Sequence, residues 1–147
     1  MTAFGAIATA IRAHLTAAPA LLPADRVMIN RTLPVKASGA AIVIRHLRAR
    51  GDDLTLGTYT WVSDYAVECY ARGPAGTNPA DAIDTLLADT WGRLALFRAP
   101  ALGVIDARLE PEIQWQYEEG DGVFAAATVL LSVRHRTLAS QLEWTPT

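Results

Sequence analysis

Three histidines, one cysteine and a scatter of paired acids are the residues here whose types could do chemistry. His14, His46 and His135 lie far apart in the chain, and none stands in a metal-binding spacing such as His-Glu-x-x-His. A structural or catalytic metal needs several ligands converging on one point, so isolated histidines argue against one. His46 and His135 become neighbours if their strands pair. General acid–base work would also need a carboxylate within reach, and no motif supplies it. His14 reads as a helix-end residue. Cys69 lacks a CxxC partner and alternates in step with Trp61, Tyr65 and Val67, which suits a small buried hydrophobe better than a nucleophile.

The acids and glycines read similarly. Glu110 and Glu112, two apart, share one face of a strand. With Glu118, Glu119 and Asp121 they suit the solvated face of an antiparallel sheet, with a subunit contact or a pore-lining acidic surface as the sharper alternative. Gly73, Gly76, Gly120 and Gly122 lack the strand–GxGxxG–helix setting of a phosphate loop. The tripeptide Arg50-Gly51-Asp52 falls where a hairpin is expected to turn, so it reads as turn chemistry and not as an adhesion signal. Catalytic residues, a cofactor site and a metal site are therefore not expected.

Arginines gather at two strand ends, Arg45, Arg48 and Arg50 in one and Arg134 and Arg136 in the other. No aromatic stacking platform is interleaved with them, which favours a protein contact or a solvated end over a nucleic-acid grip. The net charge of −2 points the same way, because dedicated nucleic-acid binders carry a basic balance. With a single cysteine, no intrachain disulfide can form. The apolar N-terminus lacks a basic leader and is interrupted by Arg12 and His14, so it is read as neither signal peptide nor membrane span.

These residues must be positioned by a small set of elements. Phe4, Ile7, Ile11 and Leu15 predict a helix over 3–17 with Thr2 as its N-cap. Residues 26–30 suit a short strand or a core cover, and 33–39 a loop. Residues 40–49 read as a strand, and "RGDDLTLG" as the turn after it. Over 58–73, Tyr59, Trp61, Tyr65, Val67 and Cys69 alternate with Thr60, Asp64 and Glu68, the mark of a half-buried strand. Asn78 and Pro79 open a second helix that ends before Pro100, with Ile83, Leu87, Trp91 and Leu94 as its stripe, widened by Leu86 and Phe97. Residues 104–119 alternate again, with Ile105, Ala107, Leu109, Ile113, Trp115 and Tyr117 expected on the apolar face. Pro111 there marks an edge or a bulge. "EGDG", 119–122, suits a hairpin turn, and 123–136 the return strand. The fold class expected is α+β: a two-layer, mainly antiparallel sheet with two helices packed on one face. One domain should span 1–147, with a mobile tail over 138–147.

The order of these elements, with the leading helix "AFGAIATAIRAHL", the strand "TYTWVSDYAVECYARG", the helix start "NPADAIDTLLADTW" and the closing "ATVLLSVRHRT", resembles the tail terminator proteins of long-tailed bacteriophages, the lambda-like minor tail protein family. The resemblance covers roughly residues 3–137. It implies a non-enzymatic virion protein of the tail or neck, assembled in the host cytoplasm. Its subunits would form a homohexameric ring that caps the tail tube, stops its polymerisation and offers a surface to the head–tail connector. The partners implied are further copies of the chain, the tail tube protein and the connector protein, with no membrane and no sequence-specific nucleic acid. Another neck or head-completion protein is the alternative, and a small ligand-binding or enzymatic domain a more distant one. A ring needs two different patches per subunit. The candidates are Arg45, Arg48, Arg50, Asp52 and Asp53 around one hairpin, Glu118, Glu119 and Asp121 around the other, Arg134 and Arg136 at a strand end, and Trp144 as an aromatic anchor in the tail.

Overall fold

The computed structural model describes residues 1–31, 39–74, 76, 78–119 and 122–144. The expected loop over 33–38 and the turn residues 120 and 121, Asp121 among them, lie outside the described residues. Asp53 and Glu119 are described through their backbone alone.

Two helices and five strands follow one another as α1 (Ala3–Thr16), β1 (Val27–Ile29), β2 (Gly39–Thr55), β3 (Thr58–Pro74), α2 (Pro79–Ala95), β4 (Val104–Glu119) and β5 (Gly122–Leu138). The strands form one sheet in the order β1-β2-β3-β5-β4. Only β1 pairs in parallel, through Val27 opposite Ile42 to Ile29 opposite Ile44. The long hairpins β2–β3 and β4–β5 are joined by the β3–β5 ladder, which runs in unbroken register from Thr58 opposite Leu138 to Pro74 opposite Gly122. The tips of the two hairpins consequently lie at opposite ends of the sheet. The architecture is α+β, with both helices on one face.

Local chemistry sets the helix ends. The Thr2 hydroxyl accepts the Gly5 amide, and the Asn78 side chain accepts the Ala80 amide, each satisfying a donor that the first turn leaves free. The helices are clasped where they finish. His14 Nε2 donates to the Arg93 carbonyl at 2.6 Å, while Arg93 donates to the carbonyls of His14, Ala17 and Pro19. One guanidinium thereby satisfies carbonyls at the end of α1 that no helical amide can reach. The core lies between the layers. Ile7, Ile11 and Leu15 of α1 and Ile83, Leu87 and Leu94 of α2 pack on Ile42, Ile44, Tyr65, Val67, Val129 and Leu131 of the sheet.

Two strand readings need correction. The segment Arg50-Gly51-Asp52-Asp53 is not a turn. β2 runs on to Thr55, a bulge between Gly51 and Asp53 absorbs the extra residue, and the chain reverses at Leu56 and Gly57. Both turn residues have positive φ, 49° and 80°. In β4, the alternation expected from Ile105 to Tyr117 is interrupted twice, between Val104 and Asp106 and between Leu109 and Ile113. The second break holds Pro111, whose missing N–H suits an irregular edge strand.

Candidate functional site

The sheet's two faces have different chemistry. On the outer face, away from the helices, cross-strand neighbours pair charges. Arg45 meets Glu68 at 2.9 Å and Arg48 meets Asp64 at 2.6 Å, while Arg134 reaches Asp52 at 3.0 Å. Tyr70 donates its hydroxyl to the other oxygen of Glu68. Burial, reinforced by that carboxylate, pushes the Tyr70 phenol up to about 12. Of the residues singled out from the sequence, the fold thus gathers Arg45, Arg48, Asp52 and Arg134 on one face as ion-pair members. Arg50 and Arg136 lie beside them, exposed and without an ion pair among the described residues. Glu118 sits at the opposite end of the sheet, next to Gln116, which donates to it at 3.1 Å. Trp144 is elsewhere again. Its ring lies against Gly103 of its own chain, so close that a Cβ on Gly103 would come within 2.9 Å of it. The segment leading to Trp144 is tied down by Ala139 donating to the Gly57 carbonyl and by the Ala3 amide donating to Leu142.

A hollow of about 260 Å³ crosses the outer face at mid-height. Ala66, Thr128 and Leu130 form its floor, and Leu47, Glu68, Glu112 and Gln114 its walls. Its position follows from the bulges. Leu47 is the residue left over between His46 and Arg48, and Glu112 belongs to the irregular stretch between Leu109 and Ile113. The β4 irregularity lies opposite Leu130, which pairs with Ala66, and the β2 bulge lies a residue or two along, opposite Tyr65 and Asp64; bulges re-aim side chains and bend strands.

On the inner face the histidines do meet, around Phe4. Its ring stacks on His46 at 5.4 Å and meets His135 edge-on at 5.1 Å. His135 Nε2 shares a 2.8 Å hydrogen bond with the Ser63 hydroxyl, while His135 Nδ1 and His46 Nε2 have no partner among the described residues. Burial lowers both imidazoles from their ordinary value, His135 to about 4 with the nearby His46 contributing. A serine beside a histidine suggests a nucleophile and its base, but that chemistry requires an orienting group on the far nitrogen and access for substrate. Here Nδ1 has no carboxylate partner among the described residues, and Ser63 and His135 are fully buried. Asp64, the nearest acid in sequence, is engaged with Arg48 on the other face. Cys69 is equally enclosed: burial raises its thiol to about 11, and it touches Thr90. No group of three or more potential metal ligands converges among the described residues. No described helix is long and apolar enough to cross a membrane.

The feature that sequence reasoning missed is on β4. Ile113, Trp115 and Tyr117 face Val129, Ala127 and Ala125 of β5 on the helix side of the sheet. The β5 row is buried. The β4 row is not: Ile113 is 37%, Trp115 44% and Tyr117 55% exposed, and the Trp115 and Tyr117 rings lie parallel at 6.5 Å. α2 packs on β5 and on part of β4, and leaves the stretch from Ile113 to Tyr117 open. Alternation placed these three residues on the correct face, but it carries no information about how far the helical layer reaches.

No protein-family model matches the chain, and no curated protein matches it either.

Proposed function

We propose that this chain is a structural subunit that works by association, and specifically a tail terminator: a ring of copies that caps a phage tail tube, stops its growth and presents a surface to the head-side connector. One observation carries the associative reading, the uncovered row Ile113–Trp115–Tyr117 on an edge strand. An edge strand offers unpaired amides and carbonyls, a hazard that soluble proteins blunt with charge, bulges or a cover. Here bulges break the edge around Ile105 and Pro111, but beyond them it carries an uncovered, stacked tryptophan–tyrosine pair. Aromatics of this kind dominate the energetics of protein interfaces. The particular choice of a terminator rests on the resemblance of the element order to that family.

The experiment is light scattering and negative-stain imaging of purified protein, with and without isolated tail tubes. Closed rings that cap tubes support the reading. A protein that stays monomeric at every usable concentration and ignores tubes overturns it. Rings that bind filled heads but not tubes would make the chain another neck component.

A further inference from the structure

The tip of the β2–β3 hairpin is an unusual place for a leucine. Leu56 is 99% exposed and holds a left-handed backbone, φ 49°, before Gly57 at 80°. Two-residue turns with both φ values positive favour Asn-Gly or Asp-Gly, because short polar or absent side chains tolerate that conformation. An apolar side chain that is strained and fully in water contributes nothing to the fold. Leu54, two residues earlier, is also exposed. The outer-face hollow has the complementary character: an apolar floor at Ala66 and Leu130 and a wall at Leu47, on a face otherwise laced with ion pairs. Its carboxylate wall, Glu112, forms no ion pair among the described residues, while the tip's flanking Arg50 and Arg136 have none either. The two features cannot meet within one molecule. Thr58 and Ala66 are separated along one strand by about 26 Å at roughly 3.3 Å per residue.

We propose that the β2–β3 tip of one copy, led by Leu56, seats in the outer-face hollow of the next copy, with Arg50 and Arg136 turned toward Glu112. The inference rests on the self-association reading and names its contact. Tip and hollow are different patches, so the contact is heterologous: it repeats from copy to copy and closes into a ring or runs on as a filament. A hydrophobic knob supplies the affinity, and the opposite charges set its orientation.

The test uses the full chain. Leu56→Asn suits the left-handed turn better than leucine does, so the folded subunit should melt at the same or a higher temperature. Its self-association, read by sedimentation velocity, should weaken at least tenfold. A leucine with a merely structural role would give the opposite pattern. In a Cys69→Ala background, Leu56→Cys protein mixed with Leu47→Cys protein should form disulfide-linked heterodimers under mild oxidation, and neither variant alone should crosslink comparably. If wild-type protein assembles while Leu56→Asn assembles equally well and the mixed cysteines do not crosslink, this contact is wrong and the self-association reading survives. If wild-type protein does not assemble at all, both fall.

Discussion

Val129 and Ile113 sit opposite each other in one ladder, on the same face of the same sheet, yet one is buried and the other half open. The pairs Ala127–Trp115 and Ala125–Tyr117 repeat the contrast, with the small residue under the helix and the large one outside it. An isolated subunit gains little from aromatics placed there. The small residues on β5 let α2 approach the sheet closely, and the large ones on β4 remain available to another chain. Removing side chains from the two rows should therefore have different consequences. Leu131→Ala, in the covered row, opens a cavity beneath the helices and should cost about 2–5 kcal/mol by urea denaturation. Trp115→Ser, in the open row, should leave the subunit's stability within about 1 kcal/mol and weaken assembly by about 2 kcal/mol or more, the usual scale of a buried aromatic anchor. Equal stability losses from both would show that the edge row belongs to the core.

Acid should separate the two regions further. His135 is held neutral, with a folded value of about 4 against an ordinary 6.5. Between those values the unfolded chain binds a proton that the folded chain refuses, so stability falls as pH drops below about 6.5 and levels off near 4; above 6.5 these imidazoles contribute no slope. At 1.36 kcal/mol per unit the loss is on the order of 3 kcal/mol, with His46 acting in the same direction. His135→Gln keeps an amide for the Ser63 hydroxyl and should flatten the profile between pH 6.5 and 4.5. An unchanged slope would place the titration elsewhere.

Gly103 tests the tail's attachment. Its φ is 75°, and a Cβ there would meet the Trp144 ring at 2.9 Å and the Arg136 carbonyl at 3.1 Å. Gly103→Ala combines left-handed strain with eviction of Trp144. It should cost about 1–3 kcal/mol and raise the emission wavelength of one tryptophan. If the spectrum and the melting temperature both stay put, Trp144 is not seated where the fold places it.

Much of this fold was legible in the chain because its signals are local. Thr2 and Asn78 announced the helix starts, the stripe of Ile83, Leu87 and Leu94 fixed the buried side of α2, and alternation from Trp61 to Cys69 fixed the face of β3. What stayed hidden was set by non-local geometry. Leu47 and Glu112 line one hollow because bulges on two strands fall within a residue or two of each other along the sheet. The hairpin turns at Leu56 and not at Arg50-Gly51-Asp52 because β2 and β3 gain further ladder bonds by continuing, and leucine gives no turn signal. The arginines at the strand ends were legible as surface residues. Their division into Arg45, Arg48 and Arg134, which form ion pairs, and Arg50 and Arg136, which form none among the described residues, depends on cross-strand register.

The smallest expected effect concerns those pairs. Arg48 and Asp64 lie 2.6 Å apart, but the arginine is largely in solvent. Exposed pairs gain little Coulomb energy in water and lose side-chain entropy when they form, so the usual coupling is below about 1 kcal/mol. A double-mutant cycle with Arg48→Ala and Asp64→Asn should return a coupling of that size and shrink further in half-molar salt, where screening acts within a few ångströms. Assembly should respond more than folding does if the outer face receives a neighbour, because a docked hairpin would exclude water from the same pair and strengthen it. A coupling above about 2 kcal/mol in the monomer, insensitive to salt, would make the ion pairs part of the fold's own support. The contrast between a face that holds the subunit together and surfaces kept for other chains would then have to be redrawn.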